Sequence, residues 1–246
     1  MASASEHRRS AAAPRHTLGT RPAIAVTVGL LVLANLFDNR WVPGWNVVAG
    51  PVTAALLLGV WFWSGGTWAQ AGLGRAGLGT GARWALALIG IVAAVYLVGG
   101  ALPFTRELFA DRRTSGLSGL QVANQMLLQV PIGTVLQEET AFRGVLLALL
   151  LRRYSRVRAV VVSSVLFGLW HVLPSLHLST DKPAFTRLFG SGAVGAAVVD
   201  LGAVLFTAAA GAVLCELRGR SRSLLAPMGL HWATNALGYL AAYLLG

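Results

Sequence analysis

A short charged stretch interrupts one of the most apolar regions of this sequence. Glu138, Glu139 and Arg143 lie within six residues, and aliphatic residues flank them on both sides. An ionisable side chain at the centre of a bilayer costs roughly 2.5–3.5 kcal/mol even on mild insertion scales, so such charges need partners or water in a cavity. The stretch is therefore a candidate functional site, although buried charges can also serve only to hold helices together.

Helical geometry separates the roles of these three charges. Glu139 and Arg143 are four residues apart and lie on one helix face, so we expect them to form a structural ion pair. Glu138 points about 100° away around the same helix and is left for another partner. Glu138 is thus the residue of this stretch that is available for chemistry.

Two histidines also fall inside apolar segments. His171 ends the run Phe-Gly-Leu-Trp-His, and His231 stands four residues before Asn235. This second spacing puts an imidazole and an amide on one helix face. Taken singly, each histidine is more often a helix-packing residue than a catalyst.

The depth of these residues along their helices favours a shared site. Glu138, His171 and Asn235 each lie 13 or 14 residues from an arginine at the expected inner end of the helix. At 1.5 Å per residue all three should lie about 20 Å from that face, with His231 one turn nearer to it. The arginines used for these counts are, in the same order, Arg152, Arg158 and Arg222. Polar groups on three helices at similar depth predict one intramembrane site.

The chemistry that these groups offer is peptide hydrolysis. A carboxylate in an apolar bundle can act as a general base on water, with an imidazole sharing the proton. A second imidazole and an amide can donate hydrogen bonds to the developing oxyanion. A serine nucleophile is not expected, because Ser163 and Ser164 lie about two turns from His171 along the same helix.

Three motifs in order resemble a known family. Glu-Glu-x-x-x-Arg-Gly, Phe-x-x-x-His and His-x-x-x-Asn follow one another on successive hydrophobic segments. They are similar to the motifs of the CPBP family of intramembrane endopeptidases, which includes CAAX prenyl endopeptidases and bacterial abortive-infection or bacteriocin-processing proteins. The resemblance covers roughly residues 117–245.

The resemblance implies a role for each motif residue. Glu138 with His171 would activate water, and the ion pair of the first motif would be structural. His231 and Asn235 would hold the oxyanion. CAAX endopeptidases act from the cytosolic side, whereas the depth count puts Glu138 in the outer half of the membrane.

Metal use is a separate question. Glu138, His171 and His231 form a plausible His, His, carboxylate set for zinc, and members of the family are often labelled metalloproteases. However, the spacing is not H-E-x-x-H, and the resemblance also supports a glutamate mechanism without metal. We expect no metal and no other cofactor, with these three residues as the ligands if zinc is used.

The composition defines the kind of element that must position these residues. The 246-residue chain is 55% hydrophobic and 12% charged, with a mean hydropathy of +0.65. These values are typical of a polytopic membrane protein. The net charge of +11 does not indicate nucleic-acid binding, because the basic residues occur in short clusters between long apolar runs.

The apolar runs predict an all-α fold with about seven transmembrane helices. Residues 1–22 are expected to be a disordered basic cytoplasmic tail, and residues 23–116 to form three N-terminal helices. Residues 117–246 should form a CPBP-like core of four helices. The expected spans are 23–37, 45–64, 82–102, 117–153, 158–172, 192–217 and 224–245, the fourth being a long helix kinked at Pro131.

The distribution of Lys and Arg predicts the orientation. With seven spans and the N-terminus inside, thirteen of these residues fall on the inner side and six on the outer side, which favours a cytoplasmic N-terminus. We therefore expect a multi-pass plasma-membrane endopeptidase that cleaves a membrane-embedded protein or a lipidated peptide.

Two other function classes stay open at this point. A non-catalytic membrane scaffold or bacteriocin-immunity factor could keep the same fold. A proton-coupled carrier could use Glu138 and Asp200, but it should show broken helices in two corresponding halves, and we find no such pairing in the sequence.

Overall fold

The computed structural model describes residues 17–176, 178–190 and 192–245, which contain helices and loops but no β-strand. Most of the predicted tail, residues 1–16, lies outside these ranges. Helix α1 begins at Thr20 rather than at the expected Ala23. Pro22 allows this earlier start, because proline is tolerated in the first turn of a helix, where its missing N–H is not needed.

Three long helices make up the N-terminal part. They are α1 (Thr20–Leu36), α2 (Asn46–Trp63) and α3 (Leu78–Ala101). A π-helical turn, Phe37–Trp41, continues α1. The segment 64–77 between α2 and α3, here called the inner loop, ends in a 3₁₀ turn at Arg75–Gly77. The short helix α4 (Pro103–Arg106) follows α3.

One continuous helical rod, residues 119–151, runs through the middle of the bundle, and we call it the central helix. Its winding alternates between α and π. Its segments are α5 (Gly119–Asn124), the π-helix Gln125–Val135, α6 (Leu136–Glu138), the π-helix Glu139–Leu146 and α7 (Leu147–Leu151). Ser118 and Gln121 form a capping box at its start. Pro131 lies inside the first π-helical segment.

The described part of the remaining chain forms six further helices. Its elements are α8 (Arg156–Trp170), α9 (Val172–Ser175), α10 (Leu178–Asp181), α11 (Pro183–Phe189), α12 (Ala193–Ser221) and α13 (Leu225–Leu245). Helix α8 packs on α12, whereas α13 packs between α3 and the central helix.

Helices in the described part of the chain are long and apolar enough to cross a membrane. Four satisfy both criteria, namely Thr20–Trp41, Asn46–Trp63, Arg75–Ala101 and Ala193–Ser221. The predicted class, an all-α integral membrane protein, is confirmed. The number of seven crossings stays a prediction, since the central helix carries charges and α8 has only 15 residues.

Glycines allow close helix contacts beside the central helix. A Cβ atom on Gly50 of α2 would lie 2.8 Å from the carbonyl oxygen of Ile132, and one on Gly133 would lie 2.9 Å from Cβ of Asn46. Gly168 of α8 similarly lies against the backbone of Val204 in α12. Such small residues let helices approach closely where van der Waals contact drives association.

Different ion pairs lie at the two ends of the bundle. At one end, Arg152 donates to the carbonyl oxygen of Ser64 at 2.9 Å and Arg156 pairs with Glu216 at 2.5 Å. We call this the arginine-rich end. At the opposite end, Arg187 pairs with Glu107 at 2.6 Å and Lys182 pairs with Asp111 at 2.9 Å.

Candidate active site

Glu139 and Arg143 lie in a π-helical segment at the centre of the bundle, and Glu138 is the last residue of α6 directly before it. The N–H of Leu147 bonds to the carbonyl of Phe142, which is the i to i+5 pattern of a π-helix. Every residue from 137 to 150 is buried. Insertions of π-helix into an α-helix are frequent at functional sites because they re-aim the side chains.

The spacing of Glu139 and Arg143 brings them into contact. Arg143 Nη1 lies 3.1 Å from Glu139 Oε1, and both side chains are fully buried. The guanidinium also stacks on Phe167, with Cζ 3.8 Å from the ring centroid. A buried cation in contact with a carboxylate and an aromatic face is stabilised by both.

Glu139 has a second partner that the sequence spacing does not indicate. Nδ1 of His231 lies 2.8 Å from Oε1 of Glu139. A carboxylate only accepts hydrogen bonds, so this nitrogen is the donor and carries a proton. The other ring nitrogen, Nε2, then points away from Glu139 and towards Glu138.

Glu138 faces away from the ion pair and lies between two imidazoles. Its Oε1 accepts a 3.0 Å hydrogen bond from the indole of Trp170. Its Oε2 lies 3.9 Å from Nε2 of His171 and 3.8 Å from Nε2 of His231. This oxygen is buried and makes no hydrogen bond with the described residues. Separations above 3.5 Å suit a bridging water, so these three atoms are spaced to share one.

His171 stands at the residue where α8 ends. Its Nδ1 lies 2.8 Å from the carbonyl oxygen of Phe167, so Nδ1–H is the donor of this bond. The ring also packs edge-on against Phe167, with centroids 4.7 Å apart. Both histidines are therefore fixed through Nδ1, which leaves both Nε2 atoms directed at the same carboxylate oxygen.

Asn235 lies beyond this level, towards the opposite end of the bundle. It stands one turn after His231 in α13, is half-buried, and makes no hydrogen bond with any residue that the structure describes. Its amide is thus free to bind a group that enters the site. The expected depth match between Glu138 and Asn235 is wrong, because His231 is the residue of α13 that reaches Glu138.

The start of α13 explains this difference in depth. The N–H of Leu224 bonds to the carbonyl of Gly72 in the inner loop at 2.9 Å. A Cβ atom on Gly144 would lie 3.4 Å from Leu224 Cδ1. Gly144 is about 10 Å along the helix from Leu151 at 1.5 Å per residue, so α13 starts well inside the bundle. His231 is consequently carried up to the level of Glu138.

Asn35 at the end of α1 and Asp38 in the π-helical turn that follows it support the site, and sequence reasoning missed both. Asn35 donates to the carbonyl oxygen of Trp170 at 2.9 Å, which satisfies a carbonyl in the last turn of α8. Asp38 accepts a 3.0 Å hydrogen bond from Gln137, the residue before Glu138. An acidic and an amide residue near the end of an apolar run were the available signal, but nothing in the sequence connects them to partners 99 and 135 positions later.

Asp200 makes neither a hydrogen bond nor an ion pair with any residue in the described part of the chain. It lies half-buried on α12, and its Oδ1 atom is buried. No contact seen here links it to Glu138, so a proton path through both residues gains no support.

The zinc alternative can be tested against these distances. Two imidazole nitrogens and a carboxylate oxygen are donors that zinc accepts, but ligand atoms around a tetrahedral zinc lie only about 3.4 Å apart. The two Nε2 atoms are 3.8 and 3.9 Å from Oε2 of Glu138. Among the described residues no group of three His, Cys, Asp or Glu side chains is arranged to hold a metal ion. The donors have suitable chemistry, but their spacing does not fit the ion.

Comparison with known families gives one match. Residues 121–237 match the family model described as type II CAAX prenyl endopeptidase Rce1-like. No curated protein and no solved structure matches the chain. The matched segment begins in the central helix and ends in α13, so it contains Glu138, His171, His231 and Asn235 and leaves α1 to α3 outside.

Proposed function

Because residues 121–237 belong to the type II CAAX prenyl endopeptidase Rce1-like family, we propose that this membrane protein is an intramembrane endopeptidase. It hydrolyses a peptide bond of a membrane-embedded or lipid-anchored substrate. The main observation behind this proposal is that Nε2 of His171 and Nε2 of His231 both lie close to Oε2 of Glu138. Three fixed polar atoms around one small space suit the activation of a water molecule.

In the proposed reaction, Glu138 acts as general base. The carboxylate takes a proton from the water while the water oxygen attacks the peptide carbonyl carbon. Nε2 of His171, opposite Oε2, helps to hold that water and share its proton. When the carbon–nitrogen bond breaks, the proton passes to the leaving amine, so no charge is left uncompensated.

His231 and Asn235 are proposed to stabilise the oxyanion that forms during the attack. In its imidazolium form, His231 keeps Nδ1–H on Glu139 and directs Nε2–H into the site. The free amide of Asn235, one turn further along α13, adds a second donor. Fixed donors of this kind are often the largest single contribution to catalysis.

The proposed location is the plasma membrane, with the arginine-rich end in the cytoplasm. The excess of Lys and Arg on that side, thirteen against six in the sequence, supports this orientation. We propose that the enzyme needs neither a metal nor another cofactor.

The test compares membrane proteomes of cells that express the wild type, Glu138→Gln or Glu107→Gln. Glutamine keeps the acceptor for Trp170 but cannot take a proton from water. Glu107 is exposed at the opposite end and serves as the matched control. New protein termini should appear with the wild type and the control and be lost with Glu138→Gln. The same termini in all three would contradict the proposed mechanism and favour a scaffold role.

A further inference from the structure

Trp170 is held in place by contacts other than its bond to Glu138. It is the last residue of α8, and only 8% of it is exposed. Its backbone carbonyl accepts the 2.9 Å hydrogen bond from Asn35, and its ring packs edge-on against Phe142 with centroids 5.8 Å apart. The position of the indole N–H is therefore set by the surrounding helices.

The acceptor of this N–H distinguishes Trp170 from two other tryptophans. Trp61 and Trp232 donate to backbone carbonyl oxygens, at 3.0 and 2.9 Å. Such bonds meet the usual need of an enclosed indole for a partner. Trp170 instead donates at 3.0 Å to Oε1 of Glu138, the carboxylate proposed as the general base.

This bond decides which carboxylate oxygen of Glu138 faces the histidines. The last torsion of a glutamate side chain is broad, so the conformation of the side chain does not select one oxygen. With Oε1 bonded to the indole, Oε2 lies 3.9 Å from Nε2 of His171 and 3.8 Å from Nε2 of His231. Oε2 accepts no hydrogen bond from any residue that the structure describes.

Both separations are about 1 Å longer than a direct charge-assisted hydrogen bond, which measures roughly 2.7–2.9 Å. A carboxylate that is free to move would close this distance and pair directly with an imidazolium N–H. The direct pair would leave no room for a water between the two groups, and Oε2 would no longer be available as a base.

From the bonded oxygen and the two open distances we propose that Trp170 is a positioning residue of the active site. Its indole N–H holds Oε1 of Glu138, and this keeps Oε2 at the distance at which it shares a water with the histidines. The inference rests on the proposed function and adds to it a residue that touches neither water nor substrate.

Replacement of the indole by a ring of the same shape tests this role. In 3-benzothienylalanine a sulfur atom takes the place of the N–H, so site-specific incorporation at Trp170 removes the donor and keeps the packing. Fluorotryptophan at the same position keeps the donor, and Trp170→Phe is a second variant without it. The matched control is 3-benzothienylalanine at Trp61, whose indole bonds to the backbone carbonyl of Thr67 in the inner loop.

Both donor-free variants of Trp170 should lower kcat about 10- to 100-fold with little change in KM, because small misplacements of reacting groups are costly. The rate is measured with the purified full-length protein on a substrate found by the proteome comparison. Fluorotryptophan at Trp170 and the Trp61 control should keep the wild-type kcat. A wild-type kcat without the donor at Trp170, or an equal loss in the Trp61 control, would overturn the positioning role.

NMR of the ¹⁵N-labelled indoles tests the contact without any substrate. The Trp170 signal is the one absent from Trp170→Phe. It should move upfield in Glu138→Gln, because a neutral amide oxygen is a weaker acceptor than a carboxylate, whereas the Trp61 signal should stay in place.

The NMR result separates this inference from the proposed function. An unmoved Trp170 signal, together with cleavage that is lost in Glu138→Gln, would contradict the inference alone. A Trp170 signal that moves as expected, in a protein that cleaves nothing, would contradict the proposed function while the contact itself is still present.

Discussion

The family-matched segment and the helices before it contribute to the site in different ways. Residues 121–237 contain every group proposed to touch water or substrate. Helix α1 and the π-helical turn after it lie outside the match. They supply Asn35 and Asp38, which touch no reacting atom but bond to Trp170 and Gln137. The matched segment thus holds the chemistry, while part of its support comes from a region with no recognisable motif.

This division has a simple structural basis. Trp170 is the last residue of α8, where backbone carbonyls lack helical partners, and His171 follows it directly. By satisfying the Trp170 carbonyl, Asn35 fixes the point at which the chain turns towards His171. The indole of the same Trp170 bonds to Glu138, so one contact from α1 influences both residues.

The largest expected effect concerns the ion pair inside the matched segment. Glu139→Gln or Arg143→Met leaves a buried charge without its partner and should lower the free energy of unfolding by about 3–5 kcal/mol. The double variant should recover much of this loss. Unfolding in detergent micelles measures it, and a double variant no more stable than the worse single one would show that the two residues are not coupled.

Replacing Asn235 tests whether a residue of the matched segment takes part in the chemistry. Asn235→Ala should reduce kcat about 100- to 1,000-fold, as for other oxyanion donors, while the unfolding midpoint stays near that of the wild type. The rate of cleavage of a substrate found by the proteome comparison provides the measurement. A rate within a few-fold of the wild type would remove Asn235 from the oxyanion site.

Replacing Asn35 or Asp38 tests whether the contacts from outside the matched segment support catalysis. Asn35→Leu and Asp38→Leu should lower kcat about 10- to 100-fold with little change in KM, because small misplacements of reacting groups are costly. Asp38→Asn keeps an acceptor for Gln137 and should restore most of the activity.

Asn39→Leu is the matched control for these variants, because Asn39 bonds only to the backbone of Asn35 within the same helix. It should behave like the wild type. Equal losses in Asp38→Asn and Asp38→Leu would instead indicate that the charge of Asp38 is what matters.

The smallest effect is expected far from the reacting groups, at Asp111. Burial by itself would raise the pKa of Asp111, but hydrogen bonds from Arg113 and Lys182 outweigh it and lower the pKa to about 2. A lowered pKa adds stability above the unfolded value of 3.8, and that stability is lost as the pH falls towards 2. The effect is small because Arg113 is partly exposed and solvent screens the pair.

Unfolding midpoints measured across this pH range should show the dependence in the wild type and a weaker one in Asp111→Asn. Asp181→Asn, a half-buried carboxylate in the neighbouring α10, is the control and should follow the wild type. Identical curves for the wild type and Asp111→Asn would exclude Asp111 as the source.

The sequence predicts the helices and the ion pair of Glu139 with Arg143 because both follow from local periodicity. Apolar run lengths locate the spans, and the four-residue spacing brings Glu139 to Arg143. Counting residues from an arginine fails for α13, because depth depends on where a helix starts, and the inner loop draws the start of α13 into the bundle.

Contacts between distant side chains are also beyond sequence reasoning. The bond from His231 to Glu139 joins residues 92 positions apart, and the bond from Gln137 to Asp38 joins residues 99 apart. Neither spacing carries a local signal, since only the packing of complete helices brings these side chains together.

We propose that the Glu138 carboxylate activates water itself and does not serve as a ligand of a metal that does so. Measuring the zinc content and the cleavage rate of the purified wild type in detergent, before and after treatment with a chelator, distinguishes these two roles. Chelation should leave the cleavage rate nearly unchanged. Stoichiometric zinc, with activity lost on chelation and restored by zinc alone, would contradict it and make Glu138 a metal ligand.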